Sequence, residues 1–192
     1  MFVLGVTGPT GAGKGTACAY LTERGFFHID TDRLVPSVYP QALPELIEAF
    51  GPQIASNGTV DRKELAKAAF SSVENTEKLN RIMHPRIMAE VARQIESAAK
   101  SGFTRVALDG AALYEAKAEE TCDKILCILA PKEERRMRIV TRDRISEDRA
   151  DLRIEAQKSD EYYTSKADGV IINQSKEQLK TDLDHILKEW TL

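Results

Sequence analysis

The sequence predicts an α/β fold in three layers, with a parallel five-stranded sheet between helices. Short apolar runs alternate along the chain with longer amphipathic stretches, as in strand–helix–strand units. The runs Phe2–Val6, Phe26–Ile29, Arg105–Leu108, Lys124–Leu129 and Gly169–Ile172 are the expected strands. The first of them leads directly into a glycine-rich turn and then a helix-compatible segment, Ala17 to Arg24.

That turn reads Gly8-Pro9-Thr10-Gly11-Ala12-Gly13-Lys14-Gly15-Thr16. Strand, glycine loop and helix in this order make a phosphate cradle. Glycines let the backbone curl so that its N–H groups converge on phosphate oxygens. The helix start adds the positive end of its dipole, and Lys14 can reach the terminal phosphates. A Ser or Thr that would hold magnesium usually follows the lysine, but here Gly15 stands there and Thr16 comes next. Magnesium is therefore expected through Thr16, through water, or through acids elsewhere.

The second and third strands are separated by about 75 residues, several times what one crossover helix needs. The gap reads as all helix. Ala42 to Phe50 is one segment. Asp61, with Glu64 as capping-box partner, opens another that runs to Phe70. A third runs from about Glu74 to Lys100, with a kink or restart at Pro85. Gly51-Pro52 and Asn57-Gly58 mark turns between them. Such an insertion is expected to wall the phosphate loop at the carboxyl ends of the strands.

After the fourth strand, Lys132 to Arg153 holds eight basic and six acidic residues. Arg135, Arg138 and Arg142 share one helical face, and Glu134–Arg138 is an i,i+4 pair. Alone this describes a solvated, ion-paired helix. Beside a phosphate loop it describes a helix pair that closes on a triphosphate.

Asp30-Thr31-Asp32 ends the second strand. If the strand continues, the two acids point apart and take separate roles. If the chain turns, they cap the next helix. Phosphoryl transfer needs an acceptor hydroxyl in line and a carboxylate to take its proton. Asp109 ends the third strand, either as an outer-shell holder of magnesium or as part of an Asp-Gly turn. His84 precedes Pro85 in the insertion, a place for a cap or a surface group as much as for a functional one. Trp190 is expected to pack the last helix down.

A net charge of −3 argues against bulk attraction to nucleic acid or anionic membrane. Cys18, Cys122 and Cys127 form no Cys-x-x-Cys pair and read as buried free thiols in a reducing compartment. No apolar run approaches the ~18 residues needed to span a bilayer. A strand starting at residue 2 leaves no room for a signal peptide, so a cytoplasmic protein is expected.

In order and spacing, the chain from Val3 to about Ser175 resembles the dephospho-coenzyme A kinase family, which has a P-loop kinase fold. The resemblance rests on Asp30-Thr31-Asp32, Phe50-Gly51, Asp61-Arg62 through Leu65 to Phe70, and Leu79-Asn80 with His84-Pro85. Further on it rests on Thr141-Arg142-Asp143, Gln157, Ala167-Asp168 and Asn173. It implies one kinase domain with a core (about 1–31, 101–131 and 166–192), a helical acceptor-binding insertion (about 32–100) and a lid (about 132–165). The implied reaction moves the terminal phosphate of ATP, with magnesium, to the ribose 3′-hydroxyl of dephospho-coenzyme A. Asp32 would be the base, and Lys14 and Arg142 would neutralise the transferring group, with Arg138 nearby. Gly11, Ala12, Gly13, Lys14, Gly15 and Thr16 would hold the ATP phosphates, and Asn173 would flank adenine. His84, Leu113 and Glu115 would line the acceptor site, Thr16 and Asp109 would hold magnesium through water, and a monomer is expected.

The chain departs from the family pattern twice. Gly-Lys-Gly-Thr replaces Gly-Lys-Ser, as in adenylate kinases. Ala111-Ala112-Leu113-Tyr114-Glu115 replaces a Pro-Leu-Leu-x-x-Glu loop. Another small-molecule or nucleotide kinase on this fold, and a nucleotide-binding sensor without transfer activity, are the alternatives.

Overall fold

The computed structural model describes residues 1–192. It is an α/β architecture built on a parallel five-stranded sheet. In chain order the elements are β1 (Phe2–Thr7), α1 (Lys14–Glu23), β2 (Phe27–Asp30), α2 (Thr31–Phe50), β3 (Ala55–Ser56) and β4 (Thr59–Val60). Then come α3 (Arg62–Ala69), α4 (Val73–Lys100), β5 (Arg105–Asp109), β6 (Lys124–Leu129) and α5 (Lys132–Asp143). The chain finishes with α6 (Glu147–Glu155), α7 (Asp160–Thr164), β7 (Gly169–Ile172) and α8 (Lys176–Glu189). The sheet order is β2-β5-β1-β6-β7, with β3 and β4 forming a separate antiparallel pair.

The chain forms two compact units, Met1–Ile29 with Ala98–Leu192, and Asp30–Ser97. In the first, β1 lies between β5 and β6, and every residue of it after Phe2 is buried. That is why the strand reads as an unbroken apolar run rather than an alternating one. Leu4, Val6, Leu21, Phe26, Leu126, Ile128 and the α8 stripe Leu179, Leu183, Leu187 make the main core, and Trp190 packs against it as expected. Two aspartates lock the strand starts. Asp123 accepts from Val3 N–H at 2.7 Å, and Asp168 accepts from Ile125 N–H at 2.8 Å. None of the three cysteines is in a disulfide; Cys18 and Cys127 are buried, whereas Cys122 is only half-buried.

The second unit differs from the expected all-helical insertion in three ways. Asn57-Gly58 is the two-residue turn of a β-hairpin, with φ of 50° and 75°, and Ala55 and Ser56 pair with Val60 and Thr59. Two consecutive residues at positive φ suit the right-handed twist of paired strands, so the turn makes a hairpin rather than a helix joint. The first helix begins at Thr31, not Ala42, and carries Pro36, Pro40 and Pro44 inside it. These prolines recur every four residues on an exposed face, opposite the buried Leu34, Val38, Ala42 and Leu46. The carbonyls left without helical donors therefore sit on the solvent side, where water can satisfy them. Finally, α4 runs through Pro85 without a restart. One turn of it is braced by Arg86, whose Nη1 donates to the Ile82 carbonyl at 2.6 Å and whose Nη2 pairs with Glu45. Asp61 does cap α3, accepting from the Lys63 and Glu64 N–H groups, but its own N–H donates to the Ile54 carbonyl at 2.7 Å rather than to Glu64 as a capping box would have it.

Candidate active site

The loop between β1 and α1 is shaped by close approach. A Cβ at Gly8 (φ 135°) would lie 2.0 Å from the Ile128 carbonyl oxygen, and one at Gly13 (φ 104°) would lie 2.1 Å from Asn173 Nδ2. Gly13 is the N-cap of α1 and supplies no capping side chain, so the first-turn N–H groups are left to an anion.

Five consecutive carbonyls of this loop accept hydrogen bonds from side chains. Lys14 Nζ donates to Gly8 O at 2.8 Å and to Pro9 O at 3.3 Å. Arg135 Nε donates to Thr10 O at 3.0 Å, and Arg138 Nη1 donates to Gly11 O and Ala12 O at 3.3 and 3.2 Å. Asn173 Nδ2 donates to Ala12 O at 2.7 Å. Each carbonyl is antiparallel to the N–H of the next residue, so drawing the Thr10 and Ala12 carbonyls to Arg135, Arg138 and Asn173 turns the Gly11 and Gly13 N–H groups the other way, where they can meet phosphate. One N–H is also held from outside, since Gln157 Oε1 accepts from Thr10 N–H at 2.8 Å and from Arg135 Nη2 at 3.1 Å.

The three arginines that share one face of α5 are not equivalent. Arg135 is 7% exposed. Burial pushes its guanidinium below the usual arginine value, opposed by Asp160 at 3.8 Å. Arg138 bridges the loop to the Asn173 carbonyl at 3.3 Å and pairs with Glu134 at 3.5 Å, as the i,i+4 spacing predicts. Arg142, at the exposed end, donates to both carboxylate oxygens of Asp143 at 2.7 and 3.0 Å. This bond raises the Arg142 pKa and holds the Asp143 carboxyl below the usual range, with Arg153 adding to the effect. Ile139, Ala150 and Ile154 pack α5 on α6, the helix pair expected after the fourth strand. Sequence reasoning placed Arg135 only on the shared arginine face and gave it no separate role, although it lies in the first turn of α5, soon after β6.

The acids divide between two elements. Asp30 is the N-cap of α2, accepting from Asp32 N–H at 3.0 Å and Arg33 N–H at 3.3 Å. The chain therefore turns rather than continuing as a strand, and Asp32 stands exposed in the first helical turn. Asp109 ends β5 opposite Val6, with His28 Nε2 3.7 Å from its Oδ2. The ligand atoms of Cys18, His28 and Asp109 all lie within 4.8 Å of one another. His28 was not singled out in the sequence, and Cys18 was read only as one of three buried thiols. Thr16 lies in the first turn of α1, and a side chain added at Gly15 would meet nothing within 4 Å.

The remaining residues lie in the 111–115 loop and in α4. Leu113 is buried beside Gly5 of β1, whereas Glu115 is exposed. Tyr114 donates from its hydroxyl to the Tyr163 carbonyl at 2.9 Å and stacks edge-on with Tyr162. His84 is half-buried in the middle of α4.

Comparison with known proteins shows the family. The family model described as dephospho-CoA kinase matches residues 2–178. A dephospho-CoA kinase of Corynebacterium glutamicum is 37% identical, over 98% of this chain and 100% of that protein. Among solved structures, a Thermus thermophilus protein superposes with a TM-score of 0.82 at 30% identity, covering 98% of this chain and 97% of that one. A dephospho-CoA kinase from Campylobacter jejuni gives a TM-score of 0.61 at 25% identity, covering 97% and 96%.

Proposed function

The chain belongs to the dephospho-CoA kinase family, and from that premise we propose that it transfers the terminal phosphoryl group of ATP to the ribose 3′-hydroxyl of dephospho-CoA. The observation that carries this reading is the glycine loop whose Thr10, Gly11 and Ala12 carbonyls are held from outside by Arg135, Arg138 and Asn173, with Lys14 at its end.

In the proposed reaction Asp32 accepts the proton of the 3′-hydroxyl while that oxygen forms a bond to the γ-phosphorus. The bond from that phosphorus to the ADP oxygen breaks, and ADP leaves with the electron pair. Lys14 turns from the Gly8 and Pro9 carbonyls to the phosphates, and Arg142 lends its guanidinium to the transferring group. Arg138 and Asn173 keep the loop in place, with Arg138 near the transferring group and Asn173 beside adenine. Such transfer rests on positioning and charge neutralisation, so these groups supply most of the acceleration. The oxygen donors Thr16 and Asp109 suit a hard cation, and magnesium bound there with ATP would balance phosphate charge. The 32–100 segment, with His84, would bind the acceptor together with Leu113 and Glu115. The 132–165 segment would act as the lid, and the enzyme would work as a monomer.

The test is ADP formation by the purified chain with dephospho-CoA, AMP or shikimate, beside a control without acceptor. ADP with dephospho-CoA alone, and a product carrying phosphate at the 3′ position, is the expected result. The Gly-Lys-Gly-Thr loop is the observation that favours AMP, so turnover with AMP alone would move the substrate. ATP binding without turnover on any acceptor would make the chain a sensor.

A further inference from the structure

We propose that Cys18, His28 and Asp109 form a binding site for a borderline-soft divalent cation of the zinc class. The three come from different elements of one unit: Cys18 from α1, one turn after Lys14; His28 from β2; and Asp109 from the end of β5, the strand next to β2. Tetrahedral zinc with bonds of ~2.0–2.3 Å sets its ligand atoms about 3.3–3.6 Å apart. His28 Nε2 and Asp109 Oδ2 already stand at 3.7 Å, and the thiol sulfur lies within 4.8 Å of both.

Burial and donor chemistry support the same ion. His28 Nε2 is out of contact with solvent and has no hydrogen-bond partner, an arrangement costly for a polar nitrogen unless something else meets it. The Cys18 side chain is fully buried, while His28 and Asp109 keep 28% and 13% of their side chains exposed, leaving a way in. Thiol and imidazole donors exclude magnesium and calcium and suit zinc or cobalt. On binding, the Cys18 sulfur forms a bond to the metal and releases its proton to solvent, and water takes the fourth position.

The site shares Asp109 with the proposed magnesium position. Zinc here therefore removes an oxygen donor from the phosphoryl-transfer centre, one helical turn from the phosphate loop, and slows turnover. That consequence rests on the proposed function; the binding itself does not.

Cobalt titration of the full-length, untagged, metal-free chain without nucleotide tests the binding. One equivalent of Co2+ should give a thiolate-to-cobalt charge-transfer band and intense tetrahedral ligand-field bands. Cys18→Ala and His28→Gln should weaken binding at least ~10²-fold, more than loss of an outer-shell partner costs. His28 lies partly at the surface, so His28→Gln reports on the site even if Cys18→Ala proves unstable. Cys122→Ser and Cys127→Ala should keep the bands. Absence of a thiolate band, or a band lost with Cys122 or Cys127 instead of Cys18, overturns the site. In turnover assays, equimolar zinc should inhibit the wild type ~10-fold or more and spare Cys18→Ala, whose activity without zinc stays near that of the wild type. Equal inhibition of both would overturn the inhibitory role. A wild type inactive on every acceptor would count against the kinase reading, while the cobalt bands would still decide the site.

Discussion

Asn173 and Ala12, 161 residues apart in the chain, are joined by an amide N–H donated to a carbonyl at 2.7 Å. The bond ties the segment after β7 to the middle of the phosphate loop, and Asn173 is only 4% exposed. Removing this buried donor leaves the Ala12 carbonyl with only the longer Arg138 bond, at a cost of about 0.5–1.5 kcal/mol. Asn173→Ala should lower the urea midpoint accordingly and weaken ATP binding ~10-fold or more, as read by calorimetry. ATP affinity equal to that of the wild type would mean that the loop holds its shape without this bond.

Asp32→Asn tests the proton acceptor. The amide keeps the size of the side chain and its place in the first turn of α2, but it cannot take a proton. Turnover should fall ~10²-fold or more while the ATP dissociation constant stays within a few-fold of the wild type. Unchanged turnover would remove Asp32 from the role of base.

Gly15→Ser restores the hydroxyl that other phosphate loops place after the lysine. The site accepts it, since nothing lies within 4 Å of the added carbon. The magnesium concentration for half-maximal rate should drop several-fold, with the fold undisturbed by circular dichroism. An unchanged magnesium requirement would mean that Thr16 and Asp109 already suffice.

Alkaline stability follows from the thiols. Burial pushes Cys122 and Cys127 from 9.0 up to about 12, so the folded chain keeps both neutral where the unfolded chain ionises them. For an acid with a raised folded pKa, the stabilisation is complete below the unfolded value and is lost as pH climbs from 9.0 toward about 12. Each thiol then costs up to about 1.4 kcal/mol per pH unit in that window. Urea midpoints should hold steady below about pH 8.5 and fall by about pH 10.5, less steeply in Cys127→Ala. A flat profile would contradict the neutral, buried thiols.

The parts of the fold that sequence made plain were those decided locally. The unbroken apolar run of β1 reflects burial on both faces, and Asp61 with Glu64 marked the start of α3 by its cap. Prolines misled because their cost depends on which face they occupy. On the exposed side of α2, Pro36, Pro40 and Pro44 cost the helix little that water cannot restore, so it starts at Thr31. Asn57-Gly58 was recognised as a turn, but its neighbours Ala55-Ser56 and Thr59-Val60 are too short to show strand alternation. In the site, the phosphate loop was legible because its spacing lies within nine consecutive residues. The division of Arg135 and Arg138 from Arg142 was not, since periodicity gives a face and not what that face meets. The grouping of Cys18, His28 and Asp109 depends on β2 lying beside β5, a neighbour relation about 75 residues long in sequence.

The outward-held carbonyls of the phosphate loop have a thermodynamic consequence. Three of the five, at Thr10, Gly11 and Ala12, stay fixed by Arg135, Arg138 and Asn173 when Lys14 turns to a phosphate. The main chain there is ordered before any nucleotide arrives, so capture costs it little conformational entropy. Any large unfavourable entropy of ATP binding would then originate in segments that order or close afterwards, and the loop itself would contribute chiefly enthalpy.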